Sequence, residues 1–423
     1  MRYNRYRSGK LAGTKQFPGD HLIVMSHSFK SNPSKQFGRF FIGACIVLAI
    51  LLIAAAIIAP MLKQRWSAPL GPALDLPTET PTRQAATPTK VTLTNTPTIT
   101  NAALADQPAT LPPASPTPEP TATAEPTSTP APLCGGPAVM TILGIGVDTD
   151  DPAYNYGLGD AIRVARVDFL TPKITVLTVP RDLWVEIPDI SDHYGIDHGK
   201  LNQSYFYGTP GMNYYDGSGG GAGLMARTLY LNFGLRVDHY GAVNMRTFAG
   251  IVDAVGGIDL YLPTDVDGTP TNDRTADMGY FYAGNNHFNG DEALRFSRIR
   301  KRYNDFTRGD FQNMVLCALR KKILTPAVLP KIPKIIAAFQ GSVITDLSLE
   351  QMTQLACLLP YVDRQNLLFT GLPQEIFTQG RVESPQLKDE TFVLEADYQV
   401  IRDYVQKFMS GEWPTEPKEP TCE

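Results

Sequence analysis

The sequence predicts an α/β fold: a three-layer α/β/α sandwich with a mixed central sheet, preceded by one transmembrane helix and a disordered stalk. Three observations carry this. From residue 135 onward, β-branched apolar runs alternate with amphipathic stretches, the pattern of strands covered by helices. Two of the runs, 161–169 and 173–179, are joined by Thr171-Pro172, a tight hairpin turn. A sheet holding that hairpin is not purely parallel. Ahead of the globular part, residues 40–62 contain no charged side chain.

That uncharged run is 23 residues of mostly Ile, Leu, Ala and Val, enough to cross a hydrocarbon core of roughly 30 Å as a helix. It is too long for the h-region of a cleaved signal peptide, about 7–15 residues. Eight Lys and Arg and one acid, Asp20, precede it. The basic flank predicts a cytoplasmic tail over 1–39, an uncleaved signal anchor over 40–62, and a C-terminal bulk outside the cell membrane. Residues 67–133 are rich in Pro and Thr, as in the TPEPTATAEPTSTP run at 117–130. Such a segment cannot build a core and is expected to stay disordered or semi-extended. One domain is expected over 135–410, with a tail over 411–423.

Residues 66–423 hold 28 Lys and Arg against 41 Asp and Glu, a balance of −13. This is opposite to what nucleic acid requires. Cys134, Cys317, Cys357 and Cys422 fall on the outer side, where disulfides persist. Three pairings are open. Cys134 and Cys422 bracket the domain, so a bridge between them could tie its ends; Cys317 and Cys357 lie on two expected helices, which a bridge could staple; buried free thiols are the alternative. The chain has no CxxC, no GxSxG and no His or Cys spacing of a zinc site.

Within the domain, 139–147, 161–169 and 173–179 read as strands. The glycine-rich 217–223 reads as a flexible loop entering a helix at 224–233, because no strand precedes it and no Gly-Lys-Ser/Thr follows. A strand at 237–244, a helix at 246–255 ended by Gly256-Gly257, and a strand at 258–262 follow. Asn289 caps a short helix. Residues 306–324 form a long amphipathic helix. Helices near 330–339 and 347–358, a strand at 366–372 and a helix at 395–408 complete the expected order.

The chemistry concentrates at two places. Arg298, Arg300, Lys301, Arg302 and Arg308 put five cations into eleven residues, followed by Gln312. Guanidinium groups crowded this way repel one another unless an anion lies between them, and their planar fork matches phosphate oxygens in pairs. A solvated charged loop is the competing reading, and both stay open on the run alone. Asp148 ends the first strand and Asp160 opens the second. Two carboxylates at neighbouring strand ends are suited to one Mg²⁺, with phosphate oxygens and water filling its shell. Loop acids capping turns are the alternative. Arg181 and Asp182 end the third strand, and Lys200 and Asn202 add a cation and an amide. His239 and His287 have no partner at ligand spacing.

These motifs, in this order and spacing, resemble the LytR-CpsA-Psr proteins of bacterial envelopes. The resemblance spans roughly 140–324. It rests on the LGIGVD run at 143–148, Val-Pro-Arg-Asp at 179–182, Lys200-Leu201-Asn202 and Tyr205 to Gly208. It continues through Val-Asp-His-Tyr at 237–240 and the IVDAVGGI run at 251–258, and ends with Arg298, Arg300, Asp305, Arg308 and Gln312. The resemblance implies an α/β/α sandwich with a hydrophobic cleft for a polyprenyl chain. It implies a Mg²⁺-assisted phosphotransferase that moves a glycopolymer from a polyprenyl diphosphate carrier to a peptidoglycan hydroxyl. Carried over by motif, Asp148 and Asp160 are the metal ligands. Arg181, Arg298, Arg300 and Arg308 form the diphosphate clamp with Gln312 beside it. Asp182 and Asp305 are candidate bases, and Lys200, Asn202 and Asp305 border the substrate.

The chain departs from the family pattern where the family often carries an Arg: after Asp148, before Asp160, and at Phe311. Arg163 or Arg166 is expected to replace the charge. Side chains alternate along a strand, so the two face opposite ways and only one can do so. A polyprenyl-diphosphate-glycan diphosphatase and a non-catalytic binder of lipid-linked glycans, regulating the envelope, are the alternative functions.

Overall fold

A computed structural model of the protein describes residues 54–77 and 130–415, apart from 57, 62, 274, 301, 340 and 384–388, together with Cys422. The chain divides into two units, 1–64 and 65–423. Of the first, residues 54–56, 58–61 and 63–64 are described, and they are helical. Most of the expected anchor and the basic tail lie outside the described residues. Among the described residues, no helix is long and apolar enough to cross a membrane.

The second unit is built on a six-stranded sheet. Its strands are β1 (Val139–Val147), β2 (Gly159–Asp168), β3 (Lys173–Val179), β6 (His239–Asn244), β11 (Val343–Thr345) and β12 (Leu367–Gly371). They run in the order β11-β6-β1-β2-β3-β12. β1 pairs parallel with β6, and β3 parallel with β12. The remaining pairs are antiparallel, so the sheet is mixed. The hairpin turn falls at residues 169–172, with Asp168 opposite Lys173. Four two-stranded pieces surround the sheet. They pair β4 (Trp184–Glu186) with β5 (His198–Lys200), β7 (Ile258–Leu262) with β10 (Gly284–Phe288), β8 (Val266–Asp267) with β9 (Tyr280–Phe281), and β13 (Phe377–Glu383) with β14 (Glu390–Ala396).

The helices are α1 (Leu201–Tyr207), α2 (Gly220–Phe233), α3 (Met245–Ala254), α4 (Gly290–Arg298), α5 (Asp305–Ile323), α6 (Ile332–Phe339), α7 (Leu349–Leu358) and α8 (Tyr398–Ser410). Alternation along β1 sorts the layers. Leu143, Ile145 and Val147 join Ile162 and Val164 of β2 in the main core, packed with Leu224, Met225 and Leu229 of α2 and Ile401 of α8. On the opposite face, Met140 packs with Leu347, Leu358 and Val362. Further along that face stand Gly144 and Gly146, which carry no side chain to fill the space. A separate aromatic core holds α3, α4 and α5 together through Phe288, Phe296 and Phe311.

Several expectations are corrected. The glycine run 217–223 is not a loop throughout: α2 begins at Gly220. A Cβ on Gly221 would lie 2.5 Å from the Tyr205 carbonyl oxygen, so glycine lets α2 pack onto α1. The final helix starts at Tyr398, and Glu395 belongs to β14. The stretch expected to be a free stalk is docked at its beginning. Pro69 bridges to Ser348, the Tyr240 hydroxyl donates to the Pro72 carbonyl at 3.0 Å, and Arg236 donates to the Pro77 carbonyl at 2.6 Å. Leu76 is buried in the main core. The C-terminal tail also returns: Trp413 packs edge-on to Tyr404.

The disulfides differ from the expected pairing. Cys134 joins Cys357, and Cys317 joins Cys422. The termini of the domain are tied to helices α7 and α5, not to each other, because each cysteine pairs with the one that tertiary packing brings within reach. Non-reducing peptide mapping should recover these two linkages. Removing the bridge across 105 residues with Cys317→Ser/Cys422→Ser should lower stability by about 2–5 kcal/mol in denaturant unfolding.

Candidate active site

The two glycines of β1 floor a cavity of about 640 Å³. Gly144 and Gly146 of β1, Ala161 of β2 and Gly241 of β6 line its base. A Cβ on Gly146 would meet that of Ala161 at 2.9 Å, so the small residues keep this face open. The apolar wall includes Val243, Met245, Phe248, Leu294, Val315 and Leu316. The polar wall gathers Asp148, Asp160, Arg163, Arg298, Arg300, Arg308 and Gln312. Sequence positions up to 164 residues apart thus share one surface.

Local structure explains how the cations arrive there. α4 starts with a capping box: Asn289 Oδ1 accepts from the Glu292 N–H at 2.9 Å, and Glu292 Oε2 accepts from the Asn289 N–H at 3.0 Å. Arg295 and Arg298 fall in its last turn, where cations suit the helix dipole. The chain then extends at Ile299, which is buried at 1% exposure. Burying Ile299 leaves its neighbours Arg298 and Arg300 exposed at the cavity. Asn304 caps α5 by accepting from the Thr307 N–H at 2.8 Å, and Arg308 follows in the first turns.

Arg298 lies 3.3 Å from Asp148 Oδ1. Arg308 pairs with Asp305 at 3.5 Å. Burial, then repulsion by Arg181, lowers the Arg308 pKa. Arg302, part of the cation run but not singled out from it, also lines the cavity and pairs with Asp267 at 2.9 Å. Asp267 follows an ordinary strand residue, and no sequence signal marked it.

Behind Asp160 lies a second layer that does not line the cavity. Arg181 bonds Asp160 Oδ2, and its Nε lies 3.3 Å from Asp182 and 3.6 Å from Asp305. Asn202 Nδ2 donates to Asp160 Oδ1 at 2.9 Å. Lys200 Nζ donates to Asp182 Oδ1 at 3.0 Å. The Asn202 N–H also donates to the Arg181 carbonyl, which ties the start of α1 to the end of β3. Lys200, Asn202 and Asp305 were expected beside the substrate, and Arg181 in the clamp. Arg181, Asp182, Lys200, Asn202 and Asp305 instead brace Asp160 from behind, because every cation among them already has an internal carboxylate.

Burial opposes the charge on Arg181, but Asp160, Asp182 and Asp305 outweigh it and raise its pKa. Burial is also the largest influence on Asp182 and opposes its charge, but Arg181, the hydrogen bond with Asp305 and Lys200 together outweigh it and hold the carboxyl below its usual range. Asp305 moves the other way: burial dominates and the neighbouring Asp182 adds to it, so its pKa is raised.

Of the two expected replacement arginines, Arg163 faces the cavity and Arg166 does not. Arg166 donates to the Met409 carbonyl on the far face at 3.0 Å. Phe311 turns into the aromatic core, 4.9 Å from the Phe296 ring. His239 is held between Asp346 and Gln351.

Asp148 and Asp160 offer hard oxygen donors in one cavity beside the guanidinium groups. Among the described residues, no group of three His, Cys, Asp or Glu could hold a metal. Two carboxylates alone suit a cation that draws its remaining ligands from phosphate and water, as Mg²⁺ does. Each carboxylate has lone pairs beyond those its Arg partner uses.

The sequence model of the LytR_cpsA_psr family matches residues 128–398, well over half of the chain. The chain belongs to this family. Curated LytR_cpsA_psr-like relatives include a polyisoprenyl-teichoic acid–peptidoglycan teichoic acid transferase, TagU, of Enterococcus faecalis. It is 28% identical over 59% of this chain and 76% of its own length. TagU of Bacillus cereus is 30% identical over 51% of this chain and 62% of its own length. TagV of Bacillus subtilis is 28% identical over 50% and 51%. The chain thus spans between half and three quarters of these relatives. Among solved structures, protein gbs0355 of Streptococcus agalactiae shares the fold, with TM-score 0.52 and 20% identity over 64% of this chain and 88% of that one.

The LytR_cpsA_psr site has opposed pH responses built in. Stability from Asp182 is complete above its ordinary pKa of 3.8 and is lost as pH falls through the folded value. Stability from Asp305 is present below 3.8 and is lost as pH rises through its folded value. Asp182→Asn should cost about 3–5 kcal/mol near neutral pH, since Arg181 and Lys200 lose a buried partner, and less in acid. Asp305→Asn should remove the component that declines with rising pH. Denaturant unfolding across pH checks both.

Proposed function

We propose that the protein is a membrane-anchored, extracytoplasmic phosphotransferase. It moves a glycopolymer from a polyprenyl diphosphate carrier to a hydroxyl of peptidoglycan or another wall glycan, forming a phosphodiester. The observation that carries this is the cavity: two carboxylates and the guanidinium groups of Arg298, Arg300 and Arg308 at one wall, and an apolar wall beside them. The polar wall suits a diphosphate, and the apolar wall suits the prenyl chain attached to it. The names of the relatives support the same class of reaction. The two disulfides support an oxidising compartment, consistent with the anchor expected over 40–62 and a cytoplasmic N-terminus.

In this reading a sugar hydroxyl attacks the phosphorus that carries the glycan. The new P–O bond forms as the bond to polyprenyl phosphate breaks, the leaving phosphate takes the electron pair, and the hydroxyl proton passes to that phosphate or to water. Arg298 and Arg300, exposed at the cavity, bind the diphosphate oxygens and offset the charge that develops on them. Arg308 adds to the field from the buried side. Asp160 is held in place by Arg181 and Asn202 and lines the cavity. Mg²⁺ held by Asp148 and Asp160 would supply further charge neutralisation on the phosphate oxygens.

The test uses the full chain with Mg²⁺, a polyprenyl diphosphate saccharide and a wall-glycan acceptor. Wall-linked polymer supports transfer. Free glycan phosphate would make the protein a diphosphatase, and binding without cleavage would make it a binder. Arg300→Ala and Asp148→Ala should each lower transfer by about 10²–10³-fold with an unchanged circular dichroism spectrum. Wild-type turnover in either variant would remove that residue from the mechanism.

A further inference from the structure

We infer that Arg163 is a positioning residue: it fixes the amide of Gln312 and, through it, the end of α4 that carries Arg298 and Arg300. The inference deepens the proposed function, because it rests on those two arginines being the diphosphate ligands.

Arg163 was expected to replace a missing phosphate-binding charge. Its hydrogen bonds say otherwise. One terminal nitrogen donates to Thr178 Oγ1 at 2.9 Å and to Asn313 Oδ1 at 2.6 Å. The other donates to the Gly309 carbonyl at 3.2 Å and to Gln312 Oε1 at 3.0 Å. Four of the five N–H donors of the guanidinium are therefore committed inside the protein. The residue is 9% exposed. Burial lowers its pKa to about 10, still high enough to keep the charge near neutral pH.

A guanidinium offers only donors, so it dictates which end of the Gln312 amide faces it. Oε1 must point to Arg163 and Nε2 must point away. Nε2 donates to the Ser297 carbonyl at 3.2 Å. Ser297 lies in the last turn of α4, where carbonyls lack partners within the helix. Gln312 thus closes the end of α4 from outside. The chain leaves the helix at once, at Ile299, and Arg298 and Arg300 flank that exit. Side-chain order runs from β2 and β3, through α5, to the two exposed cations of the cavity. Each polar atom of Gln312 makes one bond of this relay, so Gln312 is also a positioning residue, with one amide N–H left over at the cavity.

The experiment compares the full chain in detergent with Arg163→Met, Gln312→Met and the double variant, by hydrogen–deuterium exchange. Each single variant should raise exchange in the peptide at the end of α4 by roughly fivefold, the size of one lost hydrogen bond, with β2 and β3 unchanged. The double variant should go no further than the single ones, since both act through one route. Unchanged α4 exchange in Arg163→Met would overturn the inference, as would additive effects or a rise spread over the whole sheet. Gln312→Met keeps the test decisive if Arg163→Met folds poorly. Inorganic pyrophosphate with Mg²⁺ is the binding probe. Its affinity should fall about tenfold in both single variants, and wild-type affinity in both would overturn the link to Arg298 and Arg300. Failure of the wild type to bind pyrophosphate would count against the proposed function, while exchange still decides the relay.

Discussion

The site depends on how the protein compensates one buried cation. Arg181 lies in low-dielectric surroundings where an isolated charge is costly. It is surrounded by Asp160, Asp182 and Asp305, with Lys200 restoring charge on the far side of Asp182. The cluster joins the ends of β2 and β3 to the starts of α1 and α5. Its net effect is to hold one carboxylate, Asp160, at the cavity wall with its orientation set from behind.

That arrangement divides the arginines into two kinds. Arg163 is held by four internal hydrogen bonds and Arg181 by three internal carboxylates. Arg298 and Arg300 are exposed at the cavity wall. Arg308 falls between, buried yet bordering the cavity. A guanidinium that arrives already committed cannot release its partners for a passing anion without leaving buried acceptors unpaired.

Much of the fold was legible. β1, β3 and β7 have the bounds expected, because each is a clear run between turn residues. The caps at Asn289 and the Gly256-Gly257 stop were readable for the same reason: one local hydrogen bond or one left-handed residue decides them. The hairpin of β13 and β14 was missed, since Glu395 and Ala396 read equally well as the start of α8. The cation run identified the site, and alternation separated Arg163 from Arg166. What sequence did not separate was an arginine exposed at the cavity from one held by internal acceptors. Arg163, Arg298 and Arg181 are chemically identical as letters, and only the acceptors around each, contributed by distant segments, tell them apart. The disulfide partners were hidden for the same reason.

The docking of residues 69–77 changes what the Pro/Thr-rich stretch can be for. The chain touches the folded body at Pro69 and again at Pro77, and re-enters it before β1. Leu133 is fixed to that body as well, its N–H donating to the Phe169 carbonyl at 2.9 Å. The cost of closing a chain between two fixed points grows slowly with its length, about 0.6 kcal/mol per doubling, so insertion or deletion between Pro77 and Leu133 would change the stability of the folded body little.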